Sequence, residues 1–427
     1  MEKDRVSETS TKVPSISEDV LPQIINIFVL WVIKNALERD IKRLYFLARD
    51  MYAAYILAQE YCAKLNLKIE CRYLYCSRYS LRLPMYSENT LEAINYICGN
   101  GININLKQIF ARAGMNENEA KEFIQQLDIK LDLNKVLTKY ELYKLKDTLH
   151  NSEDFITVMN HKSKEQWENL FGYFKQEGMF EEKRIAIVDS GWIGATQKNI
   201  NSIRKRAGCE AEVEGFYFGL YEIPMGCDKR KYHTFYFSPI KHFLRKVFFC
   251  NCFLEIIYGA SHGTTIGYEK SEDKYLPRLR EQTVTNRLKT TYILDKALQC
   301  VRKNTINKTV ILKMDYNKKI SELSYMLMRF MCCPSKEEVD YYGSLLFSDD
   351  LLDNGLQELA PCMTAKELLS NHVLWRMYAI WKNDDCEIRG SAWLEGSAVR
   401  HGDRFYFYRI GFYIYKILLY IKNLKKY

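Results

Sequence analysis

Asp50 and Asp189 each close a short apolar run that a helix-like stretch follows at once. The first run is Arg43-Leu-Tyr-Phe-Leu-Ala-Arg49-Asp50. The second is Arg184-Ile-Ala-Ile-Val-Asp189-Ser190-Gly191-Trp192-Ile193-Gly194. In an open α/β sheet, ligands gather outside the carboxyl ends of the strands, where loops and helix N-termini converge. Two strands ending in Asp would bring two carboxylates to that edge, and such a pair can hold Mg²⁺ for phosphate chemistry. A helix N-cap is the structural alternative for each Asp, with Ser190-Gly191 as the turn in the second case. Two such coincidences, with Ser77 closing the strand between them, are harder to sustain than one.

The elements that must position these groups are readable. Ser17-Glu18-Asp19 offers a helix start before Pro22, after a polar stretch 1–16 expected to be disordered. Residues 22–38 carry a dense apolar run from Ile24 to Ile33, bracketed by Asn26 and Lys34. That run is short for a membrane span and reads as a buried helix. A strand at 43–48, a helix at 51–65 and a strand at 69–76 follow, which is a βαβ unit and implies a parallel sheet. Strand patterns vanish over 88–180, where charged helices such as Glu117–Leu127 and Lys139–Leu149 replace them. The pattern predicts a cap-like helical insertion between two halves of one α/β domain, 17–87 and 181–270. The second half holds a strand at 184–188, a helix near 195–206 and a strand at 212–221. Residues 271–400 read as mostly helical, with Tyr292–Arg302 and Ile320–Phe330 the clearest cases.

Composition narrows the function. A chain of 427 residues needs two or three packed units, and only 8 Pro and 20 Gly leave little room for long linkers. A net charge of +9 spread over this length does not argue for a nucleic-acid partner. Thirty-one Tyr and 21 Phe fit surfaces that meet sugars, membranes or partners. Thirteen cysteines without regular spacing, behind no secretory signal, read as reduced thiols of a cytoplasmic protein. Cys250-Asn251-Cys252 and Cys332-Cys333 lack the second ligand pair that a zinc site needs. No G-x-G-x-x-G or Walker loop is present, which disfavours dinucleotide oxidoreductases and P-loop NTPases.

The tail, 401–427, has its own character. Residues 404–427 hold six basic and no acidic residues, interleaved with many aromatic and aliphatic ones. Arg409, Lys416 and Asn423 recur every seven residues and share one narrow polar stripe of a helix. A basic, aromatic-rich helix of this kind suits the surface of an anionic membrane, and a terminal helix docked on the protein's own core is the alternative.

An Asp ending the first strand, a Ser ending the next, a helical insertion and a later strand ending in Asp resemble the motif order of haloacid dehalogenase-like (HAD-like) proteins. The Phe-Leu-Ala-Arg-Asp and Val-Asp-Ser-Gly-Trp-Ile-Gly blocks look like those of a bacterial group encoded among capsule and O-antigen genes. Glu255…His262-Gly-Thr-Thr…Gly267-Tyr268, Pro334-Ser-Lys-Glu-Glu338 and Trp393-Leu-Glu-Gly-Ser397 are similar to that group too, so the likeness spans roughly residues 20–400. It implies a Rossmann-like (HAD-like) α/β fold and phosphate chemistry on a sugar phosphate in surface-polysaccharide biosynthesis. In that chemistry Asp50 is the nucleophile, Ser77 bonds a phosphoryl oxygen, and Asp50 and Asp189 hold Mg²⁺. Arg49 and Arg78 would fork onto phosphate, with Tyr52 and Trp192 beside the substrate. One lysine of the insertion, from among Lys162, Lys164 and Lys175, or His161 in its place, would complete the site. The chain departs from the pattern at Asp50-Met51-Tyr52, where HAD-type phosphatases carry a second Asp for acid–base work. A tyrosine with a pKa of about 10 is a poor proton shuttle at neutral pH.

Two rival readings accompany this one. Glu255 with His262, in a loop made turn-rich by glycines at 259, 263 and 267, could form a general-base pair. That would fit a glycosyl- or sugar-phosphate transferase using a nucleotide sugar. A non-catalytic accessory protein, peripheral at the inner membrane face within a polysaccharide assembly complex, is the other.

Overall fold

The structure is a computed structural model, and it describes residues 13–99, 104–127, 132–281, 286–348, 356–382 and 390–424. It is a mixed α/β protein built on one parallel sheet of five strands. The first helix, α1 (Ser15–Glu38), leads into β1 (Arg43–Leu47), α2 (Tyr52–Lys64), β2 (Glu70–Leu74) and the short α3 (Arg78–Arg82). Four helices follow over Thr90–Ile97, Leu106–Arg112, Glu117–Gln126 and Lys139–His150, then the long α4 (Glu153–Gln176). The sheet resumes with β3 (Ile185–Trp192), α5 (Ala195–Arg206), β4 (Glu214–Leu220) and β5 (Tyr232–Phe237). Its order is β2-β1-β3-β4-β5, so the order reverses between β1 and β3. That reversal opens a crevice at the carboxyl edge of the sheet.

Side chains alternate along the strands, as period-2 geometry requires. Leu44 and Phe46 of β1 join one core with α1 and α2, while Tyr45 and Leu47 join a second core on the opposite face with α4 and α5. The four helices between α3 and α4 share a third core with residues of α3, α4 and the segment after α3; it includes Tyr79, Leu83, Ile94, Phe110 and Phe155. Helix α4 serves two of these cores, since Phe155 and Met159 lie in the helical cluster and Leu170, Tyr173 and Phe174 lie against the sheet.

Helix α1 starts at Ser15, so Ile16 belongs to the buried core and not to the polar leader expected over 1–16. Residues 1–12 of that leader lie outside the described residues. By length and composition α1 could cross a membrane, but most of it is buried within the protein. Asn26, its interior polar residue, donates to the carbonyls of Pro22 (2.8 Å) and Ala297 (3.0 Å) and accepts from Tyr61 Oη (2.9 Å). Satisfied in this way, it costs little to bury.

Beyond β5 come α6 (Asn251–Tyr258), the antiparallel hairpin β6 (Thr265–Ser271) and β7 (Lys274–Leu279), α7 (Arg287–Lys303) and α8 (Tyr316–Cys332). Helices α7 and α8 cover α1 in the same core as Leu44 and Phe46. Helices α7 and α8 are thus packed into the α/β unit, while Met363, Leu368, Ala398, Tyr408 and Phe412 form a small separate cluster. Last come α9 (Val373–Lys382), α10 (Leu394–His401) and α11 (Phe405–Leu424). The blocks around 335 and 393 have structural jobs. Ser335 and Glu338 form a capping box, and Trp393 is fully buried with its indole N–H on the Met331 carbonyl at 2.8 Å.

Candidate active site

Strands β1 and β3 are neighbours, with Phe46 opposite Val188, so the loops after them open on the same crevice. Asp50 follows β1 by three residues. The N-cap position of α2 is Met51, whose side chain makes no capping bond, so Asp50 stands one residue before the cap. Its Oδ2 instead accepts a bond from Ser190 Oγ at 2.8 Å. Asp189 is not a strand end: β3 runs on to Trp192, and Asp189 sits inside it opposite Tyr217. The Asp189 side chain is 8% exposed. Burial, reinforced by the Asp50 charge, pushes its carboxyl up to about 7 against bonds from the Gly191 and Ser190 backbone N–H groups.

The turn after Asp189 depends on glycine. At Gly191, φ is +113°, and a Cβ there would stand 2.0 Å from the Gly219 carbonyl oxygen. Gly194, at φ +64°, is the N-cap residue of α5. The chain therefore folds back sharply, placing Ala195 and Thr196 at the α5 N-terminus on the cavity wall. A helix N-terminus with free backbone N–H groups favours an anion.

The crevice holds a cavity of 530 Å³. Asp50, Asp189 and Glu255 line it, together with Arg49, Ser77, Arg78, Arg82 and Trp192. Glu255 lies on α6, half-buried, and accepts a hydrogen bond from the Trp192 indole N–H. Burial and the Asp50 charge push its carboxyl up to about 8, opposed by Trp192, Arg78 and Asn251. A group shifted in this way gives the cavity a carboxyl that carries its proton at neutral pH.

Several expected site residues take other roles. Ser77 lines the cavity, but its hydroxyl donates to the Thr265 carbonyl (2.7 Å) and caps α3 through the Ser80 N–H (3.0 Å). Tyr52 packs edge-on against Tyr73 at 5.6 Å, outside the lining of this cavity. His262 does not pair with Glu255. Its Nε2 meets Tyr73 Oη and its Nδ1 meets the Gly263 carbonyl, both at 2.8 Å, and burial holds its pKa below the usual range. The glycines near it serve the chain's own packing: a Cβ on Gly263 would stand 1.8 Å from the Arg280 carbonyl oxygen.

None of His161, Lys162, Lys164 or Lys175 lines the cavity. They lie on α4, and Lys162 pairs with Glu119 at 2.6 Å. The cations at the cavity are arginines. Among them Arg82 was not anticipated; its Nε is buried without a hydrogen-bond partner and its guanidinium lies 4.1 Å from the Tyr96 ring centre. The i, i+4 spacing of Arg78 and Arg82 on one short helix was its only signal. A second cavity of 280 Å³ shares Arg49, Asp50 and Glu255 with the first and adds Arg280, Asn286 and Arg287.

Among the described residues, no three His, Cys, Asp or Glu side chains are grouped to cage a metal. Mg²⁺ is commonly held by one or two carboxylates, with water and substrate phosphate filling the other positions. Asp50 and Asp189, which line the same cavity and of which Asp189 has its proton affinity raised by the Asp50 charge, meet that smaller requirement. In comparisons with known proteins, no family model and no curated protein matches the chain.

Proposed function

We propose that this cavity is the site of a HAD-like, Mg²⁺-dependent phosphohydrolase or phosphotransferase. Its substrate would be a sugar phosphate or related intermediate of surface-polysaccharide biosynthesis. One observation carries the reading: three carboxyl groups, Asp50, Asp189 and Glu255, share a cavity with Arg49, Arg78 and Arg82 at the point where the strand order reverses. A phosphoryl group needs both kinds of residue, cations for its oxygens and carboxyl groups for nucleophile and proton transfer.

In this reading the phosphate enters among the three arginines and the α5 N-terminus. A carboxylate oxygen of Asp50 attacks phosphorus, and the bond from phosphorus to the leaving oxygen breaks. Glu255 gives its proton to that oxygen. A water molecule, or a second hydroxyl in a transferase, then attacks phosphorus of the aspartyl-phosphate; the bond from phosphorus to Asp50 breaks and frees its carboxylate, and the attacking oxygen gives its proton to Glu255. Glu255 thus does the acid–base work that Tyr52 cannot do. Asp50 and Asp189 would hold Mg²⁺, which neutralises charge on the phosphoryl oxygens when bound.

The joined 280 Å³ cavity supports a second reading, a transferase that uses a nucleotide sugar. Its arginines suit a diphosphate, while Asp50 and Glu255 face both cavities.

The test is phosphate release from a panel of sugar phosphates and nucleotide sugars, with and without Mg²⁺, for the wild type and Asp50→Asn. Release that needs both metal and Asp50 supports the first reading. Transfer of sugar without phosphate release, indifferent to Asp50→Asn, would replace it with the second.

A further inference from the structure

Helix α11 is turned inside out for a water-exposed helix. Its polar stripe faces the protein. Lys416 pairs with the buried Glu395 at 2.7 Å, Arg409 reaches Cys333 Sγ at 2.9 Å, and Asn423 reaches Glu222 at 3.4 Å. Tyr413 Oη donates to the Cys332 carbonyl, and Tyr420 stacks on Tyr221 at 5.5 Å. These contacts fix the roll of the helix. Between its ends the exposed side chains of the helix are large and mostly apolar, with Tyr406 70%, Ile410 58% and Leu418 49% exposed.

Helix α9 lies against the flank of α11, with His372 stacked on Phe407 at 4.5 Å and Arg376 over the Tyr415 ring at 5.0 Å. It too turns apolar groups outward: Leu374 is 66%, Met377 56% and Trp381 80% exposed. Soluble proteins rarely leave so many neighbouring large apolar side chains in water.

We propose that the outward faces of α9 and α11 form a docking surface for an anionic lipid bilayer. Trp and Tyr among Leu, Ile and Met are the mixture that settles at the boundary of head groups and acyl chains. The charge agrees with this occupant. Of the basic residues of the tail, Arg409 and Lys416 are turned to the protein, and Arg404 and Lys422 stand exposed at either end of α11. Anionic head groups complement that charge, whereas a second copy of the chain would set like charge against like. The inward stripe also gives the surface its logic. Lys416, held by Glu395, is removed from the face that enters the bilayer, so the face can be apolar across its width.

The experiment is flotation of the full chain with vesicles of phosphatidylcholine alone and of phosphatidylcholine with phosphatidylglycerol. The comparison is with a variant carrying Trp381→Glu, Ile410→Glu and Leu418→Glu. The wild type is expected to float with the anionic vesicles, and the variant to lose at least about tenfold in partition. These side chains are exposed, so circular dichroism and thermal melting should match between the two proteins. Should the variant melt early, quenching by brominated lipid is the second measurement, and Trp381→Phe is expected to lose a measurable part of it. Wild type that stays with the aqueous phase, or a variant that floats equally well, would overturn the proposal. So would a lipid-independent dimer in sedimentation equilibrium that the variant breaks into monomers.

Discussion

Glu255 and Glu395 are both carried on eight-residue helices, yet their surroundings make them different chemical objects. Glu395 is 3% exposed and has its own cation, Lys416, at 2.7 Å. Burial pulls that ammonium down and the Glu395 charge more than offsets it, leaving Lys416 above its usual range. Glu255 opens on a cavity, holds an indole N–H and has the Asp50 charge as the largest influence on its proton after burial. A carboxylate with a built-in cation holds structure. One that shares a cavity with another carboxylate keeps a proton it can give away.

The largest test of this contrast lies at the cavity. Asp50→Asn is expected to reduce phosphate release by at least about 10³-fold, roughly 4 kcal/mol of transition-state stabilisation. Steady-state rates on the best substrate of the panel would show it, and a loss under tenfold would remove Asp50 from the nucleophile's role.

Lys416→Met tests the other glutamate. Leaving Glu395 buried without its cation should cost about 3–5 kcal/mol in urea unfolding. Adding Glu395→Leu should recover most of that, because the pair is then replaced by apolar groups. If Lys416→Met alone costs under about 1 kcal/mol, solvent reaches the pair and the contrast weakens.

Glu255→Gln sharpens the comparison through pH. The folded-state pKa of Glu255 stands above that of the unfolded chain, so the folded protein holds the proton more tightly. Its contribution to stability is complete below the ordinary carboxylate range and is lost as pH rises through about 8. In metal-free buffer the variant should therefore gain on the wild type, by up to about 4 kcal/mol between pH 5 and pH 8.5. Unfolding curves that shift in parallel with pH would mean that Glu255 ionises normally.

The smallest expected effect is at His262. Removing its bond to Tyr73 with His262→Phe should cost about 1 kcal/mol of stability and change phosphate release less than tenfold. A much larger loss of rate would bring His262 back into the chemistry.

Much of the sheet was legible because buried parallel strands announce themselves as short apolar runs between helical patterns. The pattern at 195–206 matches α5 to the residue, and 69–76 needed only trimming to β2. β5 escaped notice because Lys229-Arg-Lys231 and His233 break up its apolar run. These residues work at the sheet margin, where Lys231 and His233 both meet Glu214, at 2.8 and 2.6 Å. Among the site residues, Asp50, Asp189 and Glu255 do line one cavity. Ser77 and His262 found partners far along the chain, the Thr265 carbonyl and the Tyr73 hydroxyl, which no local pattern joins to them.

Composition and periodicity by themselves determined a parallel α/β core, a run of helices between its second and third strands, and a tail helix with one polar stripe. They could do so because burial on a strand or helix repeats with the backbone's own period, and that period is local. Only the tertiary structure decided where the polar groups point. It turned the Arg409–Lys416–Asn423 stripe toward Cys333, Glu395 and Glu222, and it set Glu255 toward Asp50 instead of His262. The direction a polar side chain takes depends on which charges and carbonyls the rest of the fold brings within a few ångströms, and no sequence window contains them.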